Sequence, residues 1–144
     1  MYNELDIKFI ARAENVTLAR TITAAFLVEL NLKLSEVNEI KTIVSEAVTN
    51  AIVHGYLNDS SKLVNLKLKY DLNNIYIEVI DKGVGIEDIE KAKEPLYSTK
   101  LEEERAGLGF TIMEVFTDIL EVTSTPGDGT KVLMVKKYHC QSEH

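Results

Sequence analysis

Residues 1–144 read as an α+β fold, a two-layer sandwich of one mixed sheet with helices on one face. Two observations carry this reading. Strand-like segments come in adjacent runs with helical segments grouped between them, in the order strand, helix, helix, strand, strand, loop, helix, strand, strand. The strand-like segments alternate apolar and polar residues, so each has one face to bury. The helical segments repeat apolar residues at three- and four-residue spacing, so each has one stripe to bury. The length is that of a single domain over residues 1–144, and no internal repeat, linker or low-complexity tract divides it.

Leu5, Ile7, Phe9 and Ala11 alternate with polar neighbours and give a first strand. From about residue 15 to residue 30, Val16, Ala19, Ile22, Phe26 and Leu30 line one side of a helix. Ser35 is the expected N-cap of a second helix reaching His54, with Gly55 as its stop. Its buried face carries Ile40, Val44, Ala47, Val48 and Ala51. The turn cluster Asn58-Asp59-Ser60-Ser61 leads into a strand over residues 63–70. Asn73-Asn74 then turns the chain into a strand over residues 75–81. Beyond Asp81 the chain is charged and glycine-punctuated as far as Gly109. A helix is expected from Leu108 to about Phe116, then strands over 119–124 and 130–137 joined by Pro126-Gly127-Asp128-Gly129, and a frayed tail over 141–144.

The chain is 45% apolar and 27% charged, with a formal net charge of −7. A field of that sign excludes nucleic-acid binding through overall charge, so any role at DNA runs through a protein partner. Cys140 is the lone cysteine and reads as an incidental thiol, which suits a reducing compartment. The N-terminus lacks the basic start and apolar run of a signal peptide, and no apolar stretch approaches the ~18–20 residues that span a bilayer. A cytoplasmic location without membrane contact is the expectation.

Three short segments carry the chemistry. Glu46 and Asn50 lie one turn apart on the second helix, flanking its apolar stripe. They suit a base beside a metal or phosphate ligand, or else a solvated helix flank. Asp81-Lys82-Gly83-Val84-Gly85 follows a strand in which Ile75, Ile77, Val79 and Asp81 share parity, so the carboxylate faces the core. A buried acceptor there suits an exocyclic amine such as that of adenine, with Gly83 and Gly85 allowing close approach; the alternative is a tight turn with a capping Asp. Arg105-Ala106-Gly107-Leu108-Gly109-Phe110 is expected to open a helix, where free N–H groups and Arg105 would hold phosphate; the alternative is a flexible hinge. Neither glycine pair completes a P-loop or a dinucleotide fingerprint. His54 has no second histidine or cysteine nearby and reads as structural or as a pocket wall.

In this order the segments resemble the ATPase family that includes gyrase, Hsp90, histidine kinases and MutL. Glu46 and Asn50 match its N-box, Asp81-x-Gly83-x-Gly85 its first glycine box, and Gly107-Leu108-Gly109 its second. Gly129-Thr130 is similar to its late Gly-Thr, whose threonine supports the adenine-binding Asp. The stretches Ser45-Glu46-Ala47-Val48-Thr49-Asn50-Ala51, Pro95-Leu96-Tyr97-Ser98-Thr99-Lys100 and Glu104-Arg105-Ala106-Gly107-Leu108-Gly109-Phe110 resemble the anti-sigma F factors, the serine kinase branch of that family, over nearly the full length. The tail differs in type, and residues 101–104 are unusually acidic.

The resemblance implies a Hsp90/histidine-kinase type of sandwich that binds ATP or ADP with Mg²⁺. It implies that Asn50 ligates Mg²⁺ and that Asp81 accepts from the adenine amine, with Gly83, Gly85 and Thr130 around it. Residues 86–106 would form a lid, Arg105 would reach the γ-phosphate, and Gly107, Leu108 and Gly109 would frame the phosphates. Glu46 would be the catalytic base toward a serine of an anti-anti-sigma factor. The second implied partner is an RNA polymerase sigma factor of the sigma-F type, with partner choice set by the nucleotide. Arg20, on the first helix, matches a docking position or is a plain surface arginine. A homodimer is also implied. A nucleotide-gated sequestering protein without catalysis is the competing reading, whereas a histidine kinase core or an ATP-driven clamp would need segments for which these residues leave no room.

Overall fold

The computed structural model describes residues 2–94 and 101–139, with the side chains of 101–107 excepted. Strand β1 (Asn3–Ile10) is followed by helix α1 (Glu14–Phe26) and a 3₁₀ turn over Val28–Leu30. Helix α2 (Leu34–Asn50) continues into a π-turn, Ala51–Gly55. The hairpin of β2 (Leu63–Tyr70) and β3 (Asn74–Asp81) comes next, then the short α3 (Ile89–Ala92), α4 (Leu101–Phe116), β4 (Ile119–Thr125) and β5 (Gly129–Lys137).

The five strands form one sheet in the order β1-β2-β3-β5-β4. Every neighbouring pair is antiparallel, so the sheet is not the mixed one expected from the sequence. Two helices separate β1 from β2; the second reverses the direction set by the first, and the strands meet head to tail. The short α3 and the long α4 lie between β3 and β4, and these two strands do run in the same direction. They are not neighbours, because β5 folds back between them. The parallel relation exists in the connectivity but not in any ladder.

One sheet face holds the core. Val64, Leu66, Leu68 and Tyr70 of β2, Ile75, Ile77 and Val79 of β3, and Val132 and Met134 of β5 are buried there. Ile40, Ile43, Val44, Ala47 and Val48 of α2 meet them, and α2 is itself flanked by α1 and α4. The Phe26 ring of α1 tilts against Tyr70 with centroids 5.2 Å apart. The other face carries the cross-strand row Asp6, Lys67, Glu78, Leu133 and Glu121, in which opposite charges face each other on the first three strands. No described helix is long and apolar enough to cross a membrane.

Three local expectations change. The N-cap of α2 is Lys33, which makes no side-chain cap bond, and Ser35 lies inside the first turn. Gly55 closes the π-turn without a left-handed φ; Leu57 and Asn58 take that conformation at φ 53° and 62°. Helix α4 starts at Leu101 rather than Leu108. The run Leu101-Glu102-Glu103-Glu104-Arg105-Ala106 is made of strong helix formers, with its acids at the positive end of the helix dipole. The β2–β3 turn is set by Asp71, whose Oδ1 accepts from the N–H groups of Asn73 and Asn74, both at 2.9 Å.

Because only one sheet face is core, truncations on the two faces should differ. Ile77→Ala, at a fully buried centre-strand position, should lower unfolding free energy by about 2–5 kcal/mol. Ile119→Ala, 48% exposed on the other face, should cost less than about 1 kcal/mol. Urea unfolding of the two variants checks the difference.

Candidate functional site

Helix α2 delivers Glu46 and Asn50 to the end of the core. Its apolar stripe must keep facing the sheet, and the last two turns therefore carry these polar residues on the adjoining flank, half-buried. The chain then widens into the π-turn, in which the Tyr56 N–H donates to the Ala51 carbonyl at 2.9 Å. This brings Gly55 onto the end of β3. A Cβ at Gly55 would lie 2.6 Å from Cγ of Asp81, so glycine is required for the approach. The Gly55 carbonyl accepts from the Val84 N–H at 2.9 Å, which fastens the loop after Asp81 to the end of the helix.

Asp81 is 6% exposed. Its Oδ1 accepts from the Gly83 N–H at 3.0 Å, and the Thr130 N–H is a second backbone donor. Burial raises its pKa above the ordinary carboxylate value, and the two N–H bonds offset this only in part. Gly83 packs where any side chain would strike the Gly55 backbone, and Gly85 takes φ 76°. Thr130, in register with Asp81 on β5, shares a 2.8 Å hydrogen bond with the hydroxyl of Ser124. That Ser124 Oγ also accepts from the Ile86 N–H at 2.7 Å, so one small side chain ties the start of the following loop to the β4–β5 hairpin.

Helix α4 closes the opposite wall. A Cβ at Gly109 would sit 3.0 Å from Oε2 of Glu46 and 3.3 Å from Nδ2 of Asn50, so this glycine lets α4 press against both polar groups of α2. The Asn50 Nδ2 is buried and has no hydrogen-bond partner among the described residues. Burial also raises the Glu46 pKa. The cavity has a volume of about 480 Å³. Asn50, His54, Asp81 and Thr130 are its polar lining, and Ala47, Ala51, Val79, Ile86, Phe110 and Val132 form apolar walls. Glu87, Asp88 and Lys91, around α3, stand at the same cavity.

The arrangement offers a buried carboxylate acceptor among apolar walls, which suits a flat ring carrying a hydrogen-bond donor. Asn50 answers a test of fit for a divalent cation. Its amide is orphaned, and turning it over would present Oδ1 to a cation. No cluster of three or more His, Cys, Asp or Glu exists among the described residues. One amide oxygen at this place suits Mg²⁺, which keeps waters and takes phosphate oxygens as its remaining ligands.

Asn50, Asp81, Gly85 and Thr130 thus share one cavity, with Gly83 holding Asp81 and with Glu46 and Gly109 beside Asn50. His54 is a wall of the cavity. Leu108 is half exposed. Gly107, Leu108 and Gly109 lie within α4, so they do not form the helix N-terminus expected from the sequence; two upstream turns of good helix formers displace it to Leu101. The side chain of Arg105, the lid stretch Pro95-Leu96-Tyr97-Ser98-Thr99-Lys100, Cys140 and the tail lie outside the described residues. Arg20 is exposed on α1 and is not among the cavity residues. Sequence reasoning missed Ser124, Tyr56 and the use made of Gly55. Only Gly55 carried a signal, as a glycine placed directly after a helix.

The chain matches the histidine kinase-like ATPase domain family over residues 9–136. It is 53% identical over 134 residues to an anti-sigma F factor of Thermoanaerobacter sp. strain X514, covering 93% of both chains. It is 48% identical over 143 residues to an anti-sigma F factor of Geobacillus stearothermophilus, covering 99% of this chain and 97% of that one. Among solved structures, the RsbU and RsbW domains of a Mycobacterium tuberculosis protein share the fold with a TM-score of 0.64 at 21% identity, over 94% of this chain and 32% of that one. The chain belongs to the anti-sigma F factor family, within the histidine kinase-like ATPase domains.

The two raised carboxyls give a signed pH dependence. A folded pKa above the unfolded one means that the native state binds protons more tightly, so stability falls as pH rises through the interval between them. Glu46→Gln mimics the protonated form. It should be more stable than the unsubstituted protein at pH 7, with the difference vanishing below the ordinary glutamate value of 4.5. Urea titrations at pH 7 and pH 4 measure it, and a variant less stable at pH 7 would contradict the assignment.

Proposed function

We propose that this member of the anti-sigma F family binds ATP and ADP with Mg²⁺ in the cavity between α2, β3 and α4, sequesters an RNA polymerase sigma factor of the sigma-F type, and phosphorylates a serine of an anti-anti-sigma factor. The observation that carries the reading is the pairing, in one cavity, of a buried acceptor at Asp81 with the orphaned amide of Asn50, beside which the half-buried carboxylate of Glu46 lies against Gly109.

In this reading Asp81 accepts from the adenine amine, and Gly83, Gly85 and Thr130 hold it in place. Asn50 supplies an oxygen to Mg²⁺, which neutralises phosphate charge when bound. Gly107, Leu108 and Gly109 lie against the phosphates, and Arg105 reaches the γ-phosphate. Glu46 takes the proton from the incoming serine hydroxyl. The serine oxygen forms the new bond to the γ-phosphorus as the bond to the bridging oxygen breaks, and ADP leaves with that electron pair. The raised pKa of Glu46 makes it a better base than an ordinary carboxylate. Phosphoryl transfer is mostly positioning and charge neutralisation, so these few groups suffice. Contacts that differ between ATP and ADP would bias which partner binds, with Arg20 as a docking residue and a homodimer in the cytoplasm as the working form.

Incubation with labelled Mg·ATP and the anti-anti-sigma substrate tests this directly. Glu46→Gln should retain ATP binding and lose about 10²–10⁴-fold in transfer rate. Asn50→Ala should lose the Mg²⁺-dependent part of ATP affinity. ATP binding without label on the protein substrate would leave sequestration alone. Sigma affinity that is the same in ATP and in ADP would remove the nucleotide switch.

A further inference from the structure

Tyr56 has no part in the reading above, yet it sits where the site is built. The β2–β3 ladder runs from Tyr70↔Ile75 to Asn65↔Ile80 and stops there. Past that rung, Leu63 on one strand and Asp81 and Lys82 at the end of the other have no cross-strand partner on this side. The hydroxyl of Tyr56 fills the gap: it donates to the Leu63 carbonyl at 2.6 Å and accepts from the Lys82 N–H at 2.8 Å. A carbonyl can only accept and an amide N–H can only donate, so the direction of both bonds is fixed. Lys82 follows Asp81 directly. On its other side Asp81 is paired with Thr130 of β5. The end of β3 is therefore held by a strand on one side and by one phenolic oxygen on the other.

The position of that oxygen is itself set by the π-turn. Tyr56 follows Gly55, is 7% exposed, and its own N–H closes the π-turn on the Ala51 carbonyl. With Gly55 O bound to the Val84 N–H and the Gly55 Cα against the Asp81 carboxylate, the end of α2 grips the Asp81–Val84 turn at three points.

We propose that Tyr56 is a positioning residue for base recognition: by completing the rung at Lys82 it fixes the Asp81 carboxylate, and so sets the preference for a purine carrying an exocyclic amine over one without it. This rests on the cavity being the nucleotide site. Tyr56→Phe keeps the packed ring and removes only the bridge, which leaves the Lys82 N–H and the Leu63 carbonyl without their partner.

The test is the ratio of affinities for Mg·ATP and for the triphosphate of purine riboside, which lacks the amine, in the full chain with and without Tyr56→Phe. The ratio should fall about tenfold in the variant, chiefly through loss of ATP affinity. General damage to the fold would weaken both nucleotides alike and leave the ratio unchanged; that result overturns the inference. Failure of the unsubstituted protein to bind either nucleotide overturns the proposed function itself, whereas normal ATP preference in both proteins overturns only the role of Tyr56. Should the variant not fold, hydrogen exchange in the unsubstituted protein decides. The Lys82 amide should be protected and slow further with ATP, and exchange at the unprotected rate overturns the bridge.

Discussion

The carboxylate of Asp81 is the group around which the rest is arranged. It is buried at the end of a core strand, accepts from two backbone N–H groups, and pairs with no cation among the described residues. Burying an ionised acid this way costs stability. The surrounding chain bears that cost through backbone devices rather than opposing charge: glycine at Gly55 and Gly83 where side chains would collide, and the Thr130 N–H from β5. An arginine or lysine partner would have cancelled the charge and used up the acceptor. Without one, a strong hydrogen-bond acceptor stays available to the pocket.

Much of this was legible in the sequence because it depends on local periodicity. Parity along Ile75, Ile77, Val79 and Asp81 put the carboxylate on the core face, and that is where it lies. The stripe of Ile40, Val44, Ala47, Val48 and Ala51 gave the buried side of α2, with Glu46 and Asn50 beside it. Strand pairing was not legible in the same way. Whether the sheet is mixed depends on which strands become neighbours, and the insertion of β5 between β3 and β4 is a long-range event that no window of residues encodes.

The misplaced start of α4 has a different cause. Glycine at Gly107 and Gly109 reads as a helix boundary because each costs about 1 kcal/mol inside a helix relative to alanine. Here Gly109 is kept for its missing side chain, which lets α4 touch Glu46 and Asn50. Intrinsic preference and tertiary contact point in opposite directions at this residue, and the contact prevails. Ser124 and Tyr56 were invisible for a related reason. A hydroxyl that joins segments 38 or 26 residues apart leaves no spacing pattern to find.

The interior place of β5 also orders events during synthesis. A chain leaving the ribosome exposes β1, α1, α2, β2 and β3 first, and these can associate while β3 still presents an open edge. Until β5 emerges and docks, Asp81 lacks the Thr130 donor and the hydroxyl pair of Ser124 and Thr130 cannot form. Until then the cavity also lacks the wall that Thr130 and Val132 of β5 supply. The pocket is completed only with β5, the last of the five strands in sequence and an interior one in the sheet.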